Sequence, residues 1–209
     1  MKIPSGRTIK PEDITFGPRI ISDFQRRREA EGRIWAEGYT QDDLDRAQVK
    51  FGIRFPPDLV ALFLERRPVL GWDWRSDEQE IRAMMERPFK GLLFDVEQSG
   101  LWWPEWGDRP AQANERAEVL RSVLKQAPKL VPLLSHRYIP SEPLETGNPV
   151  FSIHQSDVIY YGVDLTDYFD REMGNNLKPM DAPTKHIRFW SDLVERAYQA
   201  PFYQGRAME

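Results

Sequence analysis

"KLVPLLSHRYIPS" (129–141) and "PVFSIHQSDVIYYG" (149–162) are the stretches whose reading decides the fold. Both are short runs of β-branched and aromatic residues bounded by Pro, Gly, Ser and Asn, the pattern of strands punctuated by turns. "KLVPLL", "PVFSIHQ" and "DVIYYGV" each predict a strand. Pro132 has no amide to donate to a ladder, so it predicts an edge strand or a bulge in the first of them. If "KLVPLLSHRYI" pairs antiparallel with "PVFSIHQ" across a connection from Pro140 to Asn148, His136 and His154 come close together, with Asp157 three residues further on.

Working outward, the preceding chain is mostly helical. "TQDDLDRAQVKFG" (40–52) combines an N-cap (Thr40), acids in the first turn (Asp42, Asp43) and a glycine stop (Gly52). Leu44, Ala47 and Phe51 share one face of that helix. "RFPPDLVALFLERRP" (54–68) predicts a second helix with proline in its first turn, Pro68 as its end, and Leu59, Leu62 and Phe63 inward. "DEQEIRAMMERP" (77–88) predicts a third, short helix closed before Pro88, and "FKGLLFDVEQ" (89–98) a strand.

Three further helices are predicted: 113–127 with Leu120, Val123 and Leu124 inward; 164–173 capped by Asp164 with Leu165, Tyr168 and Phe169 inward; and 189–199. The last carries an apolar stripe of Phe189, Trp190, Leu193, Val194, Ala197 and Tyr198. Residues 1–38 read as an N-terminal arm, rich in Pro and Gly at first, with room for one helix capped by Ser22 and ended near Gly32. Residues 39–209 read as one domain with a C-terminal helix. Helices first, then strands with an intervening helix, make the class α+β, with a central, mostly antiparallel sheet flanked by helices.

A chain of 209 residues is long enough for one domain with a real core, and 40% hydrophobic with 30% charged residues is an ordinary soluble composition. No apolar run approaches the roughly 20 residues that span a bilayer, so no membrane partner is expected. "MKIPSGRTIKPEDITFG" has no apolar stretch after its lysine and does not read as a secretory signal. The lack of cysteine excludes disulfides, thiolate nucleophiles and Cys-ligated zinc, and fits a cytoplasmic location. A net charge of -4 offers no global basic field, so no nucleic-acid partner is expected.

The charge is uneven. Arg26, Arg27 and Arg28 make a basic cluster, whereas between Ser141 and Glu172 the acids Glu142, Glu145, Asp157, Asp164, Asp167, Asp170 and Glu172 face Arg171 alone. That segment reads either as an acidic face for a basic partner or as a solvated surface.

Chemistry-bearing patterns are sparse. His136, His154 and Asp157 are the candidates for a metal or general-base site, but a third firm ligand and a His-Glu-x-x-His spacing are both missing. Imidazoles that anchor strand ends are the favoured reading, with no metal and no cofactor. Neither a phosphate loop nor a nucleophile elbow is present. Asp95 and Glu97, two apart, would share one face of a strand. In "HRYIP", Arg137 is expected to pair with Asp157 or Asp164, and Tyr138 to pack its ring while exposing its hydroxyl. Both also suit a partner surface. Trp72, Trp74, Trp102, Trp103 and Trp106 read mostly as packing.

"LDRAQVKFGIRFPPDLVALFL" resembles the opening signature of the SUKH superfamily, which includes the Smi/Knr-type proteins. There an amphipathic helix ends at a hydrophobic-Gly pair, here Phe51-Gly52, and a Leu-Pro-x-Asp-like step opens the next, here Phe55-Pro56-Pro57-Asp58-Leu59. "GLLFDVEQSGLWWPEWGDRP" (91–110), "LVPLLSHRYIP" and "PVFSIHQSDVIYYGVDLTDYF" are similar to a bacterial branch, so the likeness spans residues 40–173. The chain departs from the pattern where members often carry Asn-Gly-Gly, since Glu65-Arg66-Arg67-Pro68 stands there. The resemblance implies an α+β fold and, for bacterial members, an immunity protein that binds and neutralises a toxin domain. It implies no catalytic residues.

The expected function is therefore a non-enzymatic binding protein that occludes a basic toxin domain. Asp157, Tyr161, Asp164, Asp167, Arg137 and Tyr138 are its candidate contacts. A regulatory scaffold with a cellular protein partner is the alternative, and a metal-dependent enzyme using His136, His154 and Asp157 the third reading.

Overall fold

The computed structural model describes residues 35–69, 71–172, 180 and 182–199, with the side chains of 198 and 199 excepted. The expectations for the arm up to residue 34, its basic cluster and the Tyr198 side chain lie outside the described residues.

Strand β1 (Trp35–Glu37) leads into α1 (Gln41–Phe51). Thr40 and Asp43 form a reciprocal capping box, each side chain accepting the other's backbone N–H, at 3.2 and 3.1 Å. Gly52 ends α1 at φ 61°, a left-handed conformation that a side chain would disfavour. Helix α2 (Pro57–Glu65) starts on prolines as expected but stops at Glu65. Arg66–Pro68 form β2, antiparallel to β1, with Trp35 opposite Pro68 and Glu37 opposite Arg66. Residues 35–37, expected in the N-terminal arm, thus belong to a two-stranded ribbon, and the Trp35 ring lies 5.5 Å from that of Phe169.

The largest correction concerns residues 77–98. Instead of a short helix and a strand, they form one helix, α3 (Glu78–Gln98), that runs through Pro88. Its buried residues Ile81, Phe89, Leu92 and Val96 keep helical spacing across the proline. A helical proline removes the N–H that would bond the carbonyl four residues back, here that of Met84. The Tyr138 hydroxyl donates to that carbonyl at 3.0 Å. The sheet thus supplies the donor that the helix lacks, and proline is tolerated.

A 3₁₀ turn (Pro104–Trp106) precedes α4 (Ala113–Leu124). The four-stranded antiparallel sheet follows in the order β3 (Leu130–Leu134), β4 (Arg137–Pro140), β5 (Val150–His154) and β6 (Asp157–Gly162). "KLVPLL" supplies β3 as expected, and "KLVPLLSHRYIP" is a hairpin in itself, turning at Ser135 (φ 51°), so that its second half, β4, is what pairs with "PVFSIHQ". Strand β3 lies at the sheet edge, and its register shifts between Pro132 and Leu134, so Pro132 meets both conditions its missing amide sets. Helices α5 (Leu165–Glu172) and α6 (Trp190–Gln199) complete the domain.

Helices cover both faces of the sheet. Val131, Leu133, Ile139 and Val150 pack with α1, α2 and α5 through Leu44, Leu59, Leu62, Tyr168 and Phe169. The alternate residues Leu130, Tyr138, Phe151, Ile153 and Val158 pack with α3, α4 and α6 through Phe89, Leu92, Leu120, Trp190 and Leu193. This is the expected α+β class. Trp74 and Trp103 are buried, while Trp72, Trp102 and Trp106 are partly buried against the same clusters, as a packing role requires.

Beyond Pro88, α3 grips the β5–β6 turn. Asp95, buried, accepts from the Ser156 N–H (2.8 Å) and the Ser156 hydroxyl (2.5 Å). Gly91 faces the same turn, where an added Cβ would lie 2.9 Å from Gln155 Cα. Asp95 and Glu97 do not share a strand face. On the helix they diverge, and Glu97 instead forms a two-pronged pair with Arg116.

The Tyr138–Met84 bond can be isolated. Tyr138→Phe is expected to destabilise by about 1 kcal/mol, because it leaves the half-buried Met84 carbonyl without its donor. In a Pro88→Ala background the restored amide satisfies Met84, so the same change should cost much less. Urea unfolding of the four proteins gives the coupling, and strictly additive losses would contradict this role.

Candidate functional site

The candidate site is the open end of the sheet face opposite α3. Pairing sets Arg137 beside Ser152 and Ser152 beside Ile159, so these three form a row across β4, β5 and β6. Burial of Val158 in the core turns Ile159 outward, where it is 43% exposed.

Arg137 is fixed from several sides. Its guanidinium carbon lies 3.7 Å from the Tyr161 ring centroid, one of its nitrogens donates to Ser152 Oγ at 2.9 Å, and its Nε lies 3.4 Å from Glu172. The same guanidinium meets His136 Nε2. The expected pairing with Asp157 or Asp164 is therefore corrected to Glu172, because α5 brings its last turn to this row. Tyr138 is corrected too. It is fully buried, and its hydroxyl serves Met84 and not a partner. Desolvation pushes that hydroxyl's pKa up to about 12.

The two histidines do lie near each other. The Ile153 N–H donates to the His136 carbonyl at 3.0 Å, and His154 is the next residue, with its side chain exposed. The His136 ring is engaged at both nitrogens, by Ser135 Oγ at 3.1 Å and by Arg137. Partial burial, then Arg137 and Arg87, hold its pKa below the ordinary value, and His154 adds to the effect. A lone pair facing a guanidinium donor is poorly placed to ligate a metal. Among the described residues, the three-residue group with convergent ligand atoms is the surface set His186, Asp192 and Glu195; His136, His154 and Asp157 do not form one.

The acidic segment is partly neutralised within the fold. Arg171 pairs with Asp167 at 2.8 Å, Lys185 with Glu145 at 2.8 Å, and Arg137 with Glu172. Asp164 caps α5, accepting from the Asp167 N–H at 2.8 Å, and Asp167 accepts from the Val163 N–H at 3.0 Å. Among the described residues neither Asp157 nor Asp164 forms a salt bridge, and Asp157 is exposed at the turn that Asp95 holds.

Ile159 is the residue that sequence reasoning missed. "VIYY" offers apolar residues to both faces, so its alternation does not reveal which side is open. What the site offers is an apolar side chain beside an exposed carboxylate, with a stacked, hydrogen-bonded arginine behind them. Such groups bind by shape and charge.

No family model, curated protein or solved structure matches this chain. In the structure Phe51-Gly52 ends α1, and Phe55–Leu59 spans the start of α2. No helix among the described residues is long and apolar enough to cross a membrane.

The depressed His136 pKa has a pH consequence. Protonation is harder in the folded state, so the neutral ring's contribution is present above the unfolded value, near 6.5, and is lost as the pH falls through the lower folded value. His136→Gln should flatten the fall in urea-unfolding stability on acidification below about pH 6.5. An unchanged pH profile would show that His136 carries none of it.

Proposed function

We propose that this chain is a non-enzymatic binding protein, an immunity protein of the SUKH type that captures a toxin domain and covers its active site. The observation that carries the reading is Ile159, exposed on the sheet face next to Asp157, which forms no salt bridge among the described residues. An apolar centre with a polar rim is the anatomy of a protein interface. Arg137 and Tyr161, already held by stacking and hydrogen bonding, lose little freedom on binding.

Asp157 and Asp164 supply negative charge for a basic partner, and the net charge of -4 steers it in the same sense. Asp167 supports this surface from within, through Arg171 and the Val163 amide. Binding by occlusion needs no cofactor, and a cytoplasmic location fits a chain without cysteine.

The test is capture from native cells by the tagged full chain, alongside Ile159→Glu and Asp157→Lys. A stoichiometric, salt-sensitive partner is expected. Ile159→Glu should weaken it at least about tenfold and Asp157→Lys should lower the association rate. The captured domain, expressed alone, should arrest growth, and co-expression of this chain should relieve the arrest. Retention by both variants would move the interface elsewhere. A harmless partner lost by both would turn the reading to a regulatory scaffold.

A further inference from the structure

On the opposite side of the sheet, a hollow of about 580 Å³ opens between α3, α4 and the chain leading into β3. Its apolar wall comes from Met85, Phe89, Leu124, Leu130 and Trp190. Among the described residues the ionic side chains lining it are Arg82, Arg121, Lys125 and Lys129, with the carboxylate of Glu86. Four cations around one apolar hollow run against a chain whose net charge is -4.

The cations are not equally committed. Arg121 lies over the Phe89 ring, 3.8 Å from its centroid, and pairs with Glu86 at 3.2 Å. Arg82 pairs with Glu78, and Lys129 donates to the Gly52 carbonyl at 2.5 Å. Lys125 is exposed and forms no salt bridge among the described residues. Among the described residues Glu86 and Glu78 offset Arg121 and Arg82, which leaves Lys125 and Lys129 as the surplus positive charge of the lining.

We propose that this hollow binds a small organic anion with an apolar body, an aromatic or short aliphatic group bearing one carboxylate or sulfonate. The volume falls within the roughly 300–1,000 Å³ of small-molecule sites, and an apolar wall with a few charged groups is their usual composition. A nucleic-acid base is a poorer fit, because the ring face of Phe89 that would stack on it is occupied by Arg121. The apolar wall favours a body that leaves water, and the surplus cations fix its head group. The site shares no residue with the Ile159 face, so each proposal can fail without the other.

The probe is anilinonaphthalene sulfonate, titrated by fluorescence into the full chain under conditions where the near-ultraviolet circular dichroism shows native packing. Saturable one-site binding is expected, displaced by octanoate and not by octan-1-ol at equal concentration. Lys125→Glu, a surface change, should weaken it about fivefold, and Leu124→Trp, which fills the hollow, should abolish it. Non-saturable binding, equal displacement by the alcohol, or an unchanged affinity in Lys125→Glu would overturn the proposal.

Discussion

A single hydroxyl at the centre of the domain lets a long helix pass through a proline. Pro88 deprives the Met84 carbonyl of its partner, and Tyr138, fully buried on β4, provides a donor from the sheet. The net worth of such a bond is about 1 kcal/mol, and without it the half-buried Met84 carbonyl has no donor from the helix. What rests on it is geometric. Because α3 continues past Pro88, Gly91 and Asp95 reach the β5–β6 turn, and Asp95 fixes Ser156 by two hydrogen bonds. That turn begins β6, where Asp157 and Ile159 sit. The proposed binding face is thus held from behind by the helix.

A second buried carboxylate does comparable work at the other end of the sheet. Asp58, in the first turn of α2, accepts from the Leu59 N–H and from the Gly147 N–H, both at 3.0 Å. Burial pushes its pKa up against those hydrogen bonds. The contact ties the helix start to the β4–β5 connection. The Phe55–Leu59 step of the sequence thus carries a tertiary anchor as well as a helix start.

Local signals were legible and long-range ones were not. Thr40, Asp43 and Gly52 announce α1 because a cap and a stop are written within a few residues. The strands after Lys129, and the edge or bulge at Pro132, are equally local. Pro88 reads locally as a helix end because the compensating donor is fifty residues away, and that leaves "FKGLLFDVEQ" without its helical context. Arg66–Pro68 became a strand because a partner strand precedes α1, which nothing within the segment announces. Of the site, Arg137, Tyr161, Asp157 and Asp164 were readable as polar and aromatic candidates. The Glu172 partner, the burial of Tyr138 and the exposure of Ile159 all depend on how α5 and the long helix pack.

The most direct test of the proposed face is amide hydrogen exchange, read by mass spectrometry, on the full chain alone and bound to its captured protein. Added protection concentrated on residues 157–164, with residues 121–130 unchanged, is the expected result. Protection confined to α3 and α4, with β6 exchanging as in the free protein, would contradict it.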